Sequence, residues 1–362
     1  MKTRLKNSII LITGGTGSWG QELTRQLLDK YSPQEIRIYS RGEHRQVDMK
    51  RNFQDKRITY FIGDVRDKDR LMLVSKNVDY LFHLAALKHV PVCEENPWEA
   101  VQTNIIGTQH VIECALENKI KKVIDVSTDK AVDPFNLYGV TKAAGEKLII
   151  AANLMSEKTK FVCIRGGNVI GTNGSVVPLF FEQIQKLNTL TLTDKDMTRF
   201  FTSLNEAIQL VLKATLESIG GEVLVMKMPS VRIIDLATVV IERLGNKKSI
   251  VKNIGIRAGE KLHEVLVSKY EISRTYDFDD YFVILPSIHL PETKRFYKNK
   301  KLLKIPYEEF NSTNTTILNK KEIAKLLDKE GWFTKSTQPS IQNLRTYDTD
   351  VLKNFNKSEG WS

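Results

Sequence analysis

Short apolar runs alternate with helical patterns through the first half of the chain. Ser8–Thr13, Glu35–Tyr39, Arg57–Ile62, Asp79–Leu84, Lys122–Ser127 and Lys160–Arg165 are rich in Ile, Val, Phe and Tyr, residues that suit a pleated and half-buried surface. Between them, Gln21–Lys30, Glu43–Phe53, Asp67–Ser75, Pro97–Glu117 and Tyr138–Met155 carry helical spacing. Such alternation predicts an α/β fold, a doubly wound parallel sheet of Rossmann type with helices on both faces and right-handed crossovers. The rhythm breaks from Asn168 onward, with Gly and Asn gathered at Gly166–Gly174. A strand at Glu222–Met226, a helix at Ile233–Leu244 and a strand near Tyr281–Leu285 follow. The pattern divides the chain into a dinucleotide-binding domain at 1–167, with later crossings back into it, and a smaller substrate-binding lobe at 168–310. Residues 311–362 read as a polar, Lys-rich extension with one helix at Lys320–Lys329, its end an arm or poorly ordered.

Composition adds little to this picture and removes several classes from it. The 362 residues, 41% hydrophobic and 27% charged, suffice for a large core. No apolar run approaches the ~20 residues that span a bilayer, so no membrane insertion is expected. The basic start Met1–Lys6 leads into a short apolar segment and a glycine loop, which reads as a first strand and not a signal peptide. Cys93, Cys114 and Cys163 are odd in number and far apart, which suits the reducing cytoplasm. The net charge of +11 comes without an Arg/Lys block interleaved with aromatics, so nucleic acid is not the expected partner. An anionic substrate and a phosphorylated cofactor account for part of the excess.

The densest chemistry lies at Ser127–Lys142, S-T-D-K-A-V-D-P-F-N-L-Y-G-V-T-K, just after the apolar run Val123–Val126. Tyr138 and Lys142 are four apart and share a helix face. An ammonium beside a phenol favours the phenolate and lowers the Tyr pKa, giving a base for an alcohol proton. Thr128 is placed to hold the same hydroxyl, and Asp129 and Lys130 add an acid and a base. A second motif, T-G-G-T-G-S-W-G at Thr13–Gly20, follows the first strand and opens the first helix. Gly14 permits the turn, and Gly17, with Thr16, Ser18 and Trp19 around it, brings backbone N–H groups to a pyrophosphate. Gly20 allows close packing of helix and strand. The end of strand two reads Tyr39-Ser40-Arg41 where an NAD fold carries an acid. A hydroxyl and a cation suit a 2′-phosphate, so NADP is expected in preference to NAD, with Arg45 assisting. Asp64 and Val65 follow strand three, the Asp set to hold the adenine amino group. Ala85, Ala86 and Lys88 follow strand four, small residues first and then a cation for ribose or phosphate.

Other residues have plainer readings. His83 lies inside an apolar strand and reads as a satisfied core histidine, and His89 as pocket wall. No metal site is expected. His263-Glu264 reads as hydrogen-bonding, and Lys50-Arg51 and Lys121-Lys122 as solvated surface.

These motifs together resemble the extended short-chain dehydrogenase/reductase superfamily. Within it the chain is most similar to the soluble, 5-inverting UDP-N-acetylglucosamine 4,6-dehydratases of capsule, O-antigen and flagellin-glycan synthesis. The likeness runs from Ile10 to about Leu327 through Leu11–Ser18, Tyr39–Arg41, Phe61–Asp67, Ala85–Pro91, Ser127–Ala131 and Tyr138–Lys142. It continues through Gly174–Phe180, Met197–Phe200, Gly255–Glu264 and Glu309–Thr315. Asp129-Lys130 is the most discriminating pair, because simple 4-epimerases of the superfamily carry small residues there and glucose 4,6-dehydratases carry Asp-Glu. Two departures stand out. The family's R-Y-G-N is Arg165-Gly166-Gly167-Asn168, which is expected to loosen the pocket, and its G-S-R-G-S-V has Asn173 in place of Arg.

The resemblance implies an NADP-dependent lyase acting on a UDP-N-acetylhexosamine, assembled as a homo-oligomer from dimer to hexamer. It assigns Thr128, Asp129, Lys130, Tyr138 and Lys142 to catalysis. It gives the nucleotide sugar Lys88, Asn168, Ser175, Val177, Arg199, Arg257 and Glu260, with Arg199 and Arg257 on the pyrophosphate. In the implied chemistry Tyr138 removes the 4-hydroxyl proton as hydride leaves for the cofactor. Lys130, its pKa lowered by its surroundings, then takes the carbon 5 proton, and Asp129 protonates the departing 6-hydroxyl. Sequence alone leaves the split between those two residues open. A UDP-sugar 4-epimerase is the nearest rival, and a non-catalytic NADP-binding sensor a rival of another class.

Overall fold

A computed structural model describes residues 5–172, 175–257, 259–300 and 302–334. Asn173, Gly174 and the tail 335–362, for which an arm was expected, lie outside them. The first half runs β1 (Ile9–Thr13), α1 (Ser18–Lys30), β2 (Glu35–Ser40), α2 (Glu43–Phe53), β3 (Ile58–Ile62), α3 (Lys68–Val74), β4 (Tyr80–His83), α4 (Val90–Glu95), α5 (Pro97–Val101), α6 (Gly107–Glu117), β5 (Lys122–Thr128), α7 (Leu137–Ala151) and β6 (Lys160–Gly166). The second half runs β7 (Asn168–Val169), α8 (Val176–Leu187), β8 (Thr189–Leu192), β9 (Thr198–Thr202), α9 (Leu204–Glu217), β10 (Val223–Met226), β11 (Ser230–Arg232), α10 (Ile233–Leu244), β12 (Ile250–Asn253), β13 (Val265–Val267), β14 (Thr275–Phe278), β15 (Tyr281–Ile284), α11 (Pro291–Asn299), β16 (Phe310–Asn311) and α12 (Lys320–Lys329).

The main sheet has the order β3-β2-β1-β4-β5-β6-β10-β15-β14. Its strands are parallel from β3 through β10, and β15 alone in this sheet runs the other way, antiparallel to both β10 and β14. This bears out the doubly wound reading, with the order reversing between β1 and β4. Ligands of such sheets bind at the strand carboxyl ends beside that reversal. The parallel strands bury both faces, which is why they read as continuous apolar runs. Ile10, Leu11, Ile12, Leu81, Phe82, Val123, Ile124, Phe161 and Val162 are all fully buried.

Polar residues interrupt that core in one row. Thr13 pairs with His83, His83 with Asp125 and Asp125 with Cys163, so four strands place them side by side. All four are buried, and α7 packs against β5 and β6 over them.

Four features of the fold bear on the sequence expectations. The helix expected at Pro97–Glu117 is broken by a π-helical turn at Gln102–Ile106. No single cut at 167 separates the domains, because β10, β14 and β15 return to the main sheet and α9 packs on α1. The extension is packed as far as it is described: Ile323, Leu327 and Trp332 enter the second core with Phe180, Phe201 and Leu236. Lys122 is not solvated surface; its Nζ donates to the Thr215 and Ser218 carbonyls at the end of α9, at 2.7 and 2.6 Å. Three small sheets complete the fold: β11-β9-β7, β12-β8 and β13-β16, the last packing Leu266, Val267 and Phe310 into the first core.

Candidate active site

The glycine loop has the shape a dinucleotide needs. Gly14 takes φ +66°, and a Cβ there would lie 2.8 Å from the Ala85 nitrogen. A Cβ on Gly20 would stand 2.3 Å from the Gly15 carbonyl oxygen, so only glycine lets α1 leave β1 this closely. Gly17 caps α1 with no side chain, which leaves the first N–H groups of a thirteen-residue helix open to an anion. Ser18 and Trp19 begin that helix, and the Thr16 carbonyl accepts from Gln21.

At the end of β2, Gln46 donates to both the Ser40 carbonyl and hydroxyl, at 3.0 Å. Arg41 is 57% exposed along its side chain and stands 3.9 Å from Asp64. Asp64 differs from expectation. Its carboxylate is gripped by the Arg66 guanidinium at 2.9 and 2.7 Å. Burial works against its ionised form, yet Arg66 holds it below the usual carboxylate range. It is therefore engaged by protein and not free for an adenine amino group. Val65 is buried against Gly107, where a Cβ would meet it at 2.7 Å.

The loop after β4 is held by a residue the sequence reading passed over. Asn104, inside the π turn, accepts from the Leu87 nitrogen at 2.8 Å and donates to the Leu87 carbonyl at 2.9 Å. It also donates to the Thr141 hydroxyl on α7. One side chain thus ties the Ala85–Lys88 loop to the Tyr138 helix. A π turn is itself a frequent mark of functional geometry.

Tyr138 and Lys142 share the inner face of α7 and are buried, at 8% and 4% exposure. The effect on the phenol is the reverse of the expected one. Burial pushes its pKa up, and the opposing pull of Lys142, Lys130 and the Thr128 hydroxyl does not cancel that rise. The Asp129 carboxylate adds to that rise, while Asp125, on β5 beneath the helix, acts on Lys142. Lys142 Nζ lies 3.2 Å from Asp125 Oδ1 and donates to Oδ2 at 3.4 Å. Burial lowers the Lys142 pKa, but Asp125 more than offsets that and holds the ammonium. The ladder continues one turn on. Glu146 takes two hydrogen bonds from Arg165 on β6, at 3.1 and 2.7 Å, and Arg165 reaches on to Glu271 at 2.9 Å. Asp125 had a sequence signal, an acid inside the apolar run Val123–Val126.

Lys130 also departs from expectation. It sits between Asp129 Oδ1 at 3.0 Å and Glu264 Oε1 at 3.4 Å. Burial would lower its pKa, but the two carboxylates reverse that and hold it well above the ordinary lysine value. The two carboxylates thus favour its charged form. The Thr128 hydroxyl donates to Asp129 Oδ1 at 2.8 Å. Lys88, exposed in outline, has its pKa pushed down by desolvation and by the Lys130 charge, so the two ammonium groups share one field.

The substrate set divides. Arg199 is buried, and its guanidinium donates to the carbonyls of Thr198, Leu262 and Lys261 at 2.7, 3.1 and 2.8 Å, with Glu264 at 3.5 Å. Those donors are committed to protein, so Arg199 holds a loop and not a pyrophosphate. Val177 is fully buried in the second core and its side chain meets no binding surface. Ser175 caps α8, Asn168 pairs with Phe201, and Glu260 Oε2 accepts from the Arg257 nitrogen. That Arg257–Glu264 loop docks on the catalytic segment. Asn136, the cap of α7, donates to the Gly259 carbonyl at 2.9 Å, and Lys261 Nζ to the Val132 carbonyl at 2.6 Å. At Gly166, where the family carries an aromatic, a Cβ would meet Met226 Sδ at 2.9 Å.

His83 and His263 follow their plain readings. His83 bonds Thr13 and Thr108 at 2.8 and 3.2 Å, and burial pushes its pKa down to about 4. His263 bonds Thr198 at 2.8 Å. Among the described residues no group of His, Cys, Asp and Glu could hold a metal ion.

A nine-stranded sheet in this order, with a glycine cradle at β1 and a Tyr-Lys face on α7, defines the extended short-chain dehydrogenase/reductase class. The chain belongs to the family described as "Polysaccharide biosynthesis protein", whose profile matches residues 10–286. It is 48% identical over 284 residues to the UDP-N-acetylglucosamine 4,6-dehydratase (inverting) of Campylobacter jejuni, covering 78% of this chain and 84% of that one. It is 42% identical over 324 residues to the UDP-glucose 4-epimerase of Rickettsia bellii, covering 88% and 94%. Among solved structures, Pen from Bacillus thuringiensis superposes with a TM-score of 0.84 at 37% identity, covering 91% of this chain and 99% of that one. The likeness to 5-inverting dehydratases inferred from the motifs is thereby borne out.

Proposed function

We propose that this chain is a UDP-N-acetylglucosamine 4,6-dehydratase that inverts carbon 5 and works with NADP. Its product would be a UDP-4-keto-6-deoxy-N-acetylhexosamine for surface polysaccharide or glycan synthesis. We place it in the cytoplasm as a homo-oligomer; among the described residues no helix is long and apolar enough to cross a membrane. The observation that carries the reading is the Asp129–Lys130 pair, joined at 3.0 Å next to Tyr138 and Lys142. An epimerase needs only the phenol and its lysine. A second acid–base pair is machinery for removing water.

The open end of α1 is assigned to the pyrophosphate, and Ser40 and Arg41 to the 2′-phosphate. The dinucleotide, when bound, accepts a hydride from carbon 4 and returns it at carbon 6. Tyr138 takes the 4-hydroxyl proton, with Thr128 holding that oxygen. The 4-keto group then acidifies the proton on carbon 5. Asp129 and Lys130, joined at 3.0 Å, share the two proton transfers of this step: one takes the carbon 5 proton and the other protonates the departing 6-oxygen, so that water leaves. Reprotonation of carbon 5 from the opposite face gives the inverted sugar. Lys88 and Arg257 are the cations we assign to the UDP diphosphate, with Asn168 and Glu260 near the uridine. Acid–base steps of this kind contribute roughly 10²–10⁴-fold each.

A 4-epimerase is the second reading, favoured by the Rickettsia relative. Product mass separates them. Purified protein with UDP-N-acetylglucosamine and NADP should yield a product lighter by one water. A product of unchanged mass would identify an epimerase, and dinucleotide binding without turnover would identify a sensor.

A further inference from the structure

Close to half of the chain's net charge of +11 comes from one short stretch. Between Pro291 and Lys304 the sequence holds six Lys and Arg against a single acid, Glu292. None of the six belongs to the site described above. The stretch also encloses Phe296 and Tyr297, so the chain does carry a cationic block with aromatics inside it, contrary to the sequence expectation.

The fold turns those cations to one side. The inner side of α11 is fixed by two hydrogen bonds: Thr293 Oγ1 donates to the Gly220 carbonyl at 2.7 Å, and the Tyr297 hydroxyl to Glu222 at 3.0 Å. Lys294, Arg295 and Lys298 share the opposite face and are exposed. Glu292 is taken by Lys160 at 3.1 Å, and none of the three outward cations has an ion-pair partner among the described residues. Lys160 opens β6, and Gly220 and Glu222 lead into β10. The helix therefore lies at the amino end of the parallel strands, away from the carboxyl ends that carry Thr128 and the glycine cradle.

Beyond the helix, Leu303 is 76% exposed between Lys300 and Lys304. Beside it opens a groove of about 750 Å³, lined by Leu216, Ile219, Phe296 and Leu302 together with Lys300. Its acids are already engaged: Glu217 accepts from the Tyr281 hydroxyl, Asp277 from Lys227 at 2.8 Å, and Asp279 lies in the field of Lys213. A surface for nucleic acid needs open rings on which bases stack. Here Tyr297 is 3% exposed, and the Phe296 and Tyr276 rings are covered by the Lys300 and Lys304 ammonium groups at 5.3 and 3.9 Å. Cations around an exposed leucine, with an apolar groove alongside, are instead the make-up of a surface that lies on a charged membrane.

We infer that the outer face of α11 and the Lys300–Lys304 loop dock this protein on an anionic lipid bilayer. The cations meet the headgroups, and Leu303 and the groove meet the upper acyl region. Docking by this end leaves the catalytic segment open to solvent. The inference does not depend on which sugar reaction the site performs.

Sedimentation of the full-length protein with vesicles tests it. Vesicles of phosphatidylcholine with one third phosphatidylglycerol should carry the protein down at least about tenfold better than phosphatidylcholine alone, since each cation at such a surface is worth roughly fivefold. Raising salt from about 0.1 to about 1 M, which shortens the screening length from about 10 to about 3 Å, should release it. The combined variant Lys294→Gln, Arg295→Gln, Lys298→Gln should lose roughly a hundredfold in partitioning and keep the wild-type turnover of soluble substrate. Leu303→Ser, which removes no charge, should lose roughly tenfold and keep the salt dependence. A matched variant with Lys247, Lys248 and Lys252 changed to Gln, all exposed on the other lobe, should bind like the wild type. Equal affinity for both kinds of vesicle would overturn the inference. So would equal losses from the two triple variants, which would point to net charge and not to a face. Tighter binding of a duplex oligonucleotide than of the anionic vesicles, lost in the α11 variant, would assign the face to nucleic acid and overturn it as well.

Discussion

Two lysines twelve positions apart, Lys142 and Lys130, are both held as ammonium ions, and they are held in different ways. Lys142 is met from directly beneath by Asp125, in a ladder of ion pairs along one helix and two strands. Lys130 stays 26% exposed and is met by two carboxylates, one adjacent and one from the other half of the chain. The first arrangement is a rigid base plate for a phenol. The second exists only when the loop carrying Glu264 is docked on the catalytic segment. The first cluster is thus built from neighbouring elements of the parallel sheet, and the second brings together residues 134 positions apart.

The largest expected effect bears on the base plate. Tyr138→Phe should lose roughly 10²–10⁴-fold in turnover while dinucleotide binding, read by calorimetry, persists. Asp125→Ala leaves a buried ammonium without its partner and should cost about 3–5 kcal/mol of stability, measured by denaturant unfolding. Asp125→Asn is the gentler probe. Lys142 would then act on Tyr138 without a neutralising carboxylate, and the phenol pKa should fall. The base is the phenolate, so the acid limb of cofactor reduction should move to lower pH; a shift upward would break the comparison. The smallest effect belongs to the cofactor. Arg41→Ala should narrow any preference for NADP over NAD by about tenfold, the scale of one exposed phosphate contact, read as a ratio of dissociation constants.

The parallel sheet was legible because its central strands bury both faces, so β1, β4 and the cores of β5 and β6 appear as short, largely apolar runs. The glycine cradle and the Tyr138–Lys142 face were legible because each lies within one turn of chain. Asp125 was visible as an acid in an apolar strand, but nothing local pairs it with Lys142. Glu264 lay in a recognised motif, yet its meeting with Lys130 is a product of folding that no spacing encodes. Arg199 was misread for the same reason: its three carbonyl partners come from β9 and from a loop some sixty residues on. The second lobe was harder to read because its strands are short and its sheets have two or three strands each.

The separation of the two lysines can be tested in a single turnover. Lys130→Gln, mixed with NADP and UDP-N-acetylglucosamine, should show reduced-nicotinamide absorbance rising at the wild-type rate and then holding, with no water lost from the sugar. Loss of the absorbance burst together with dehydration, in a protein that still binds both ligands, would contradict the division of labour between Lys142 and Lys130.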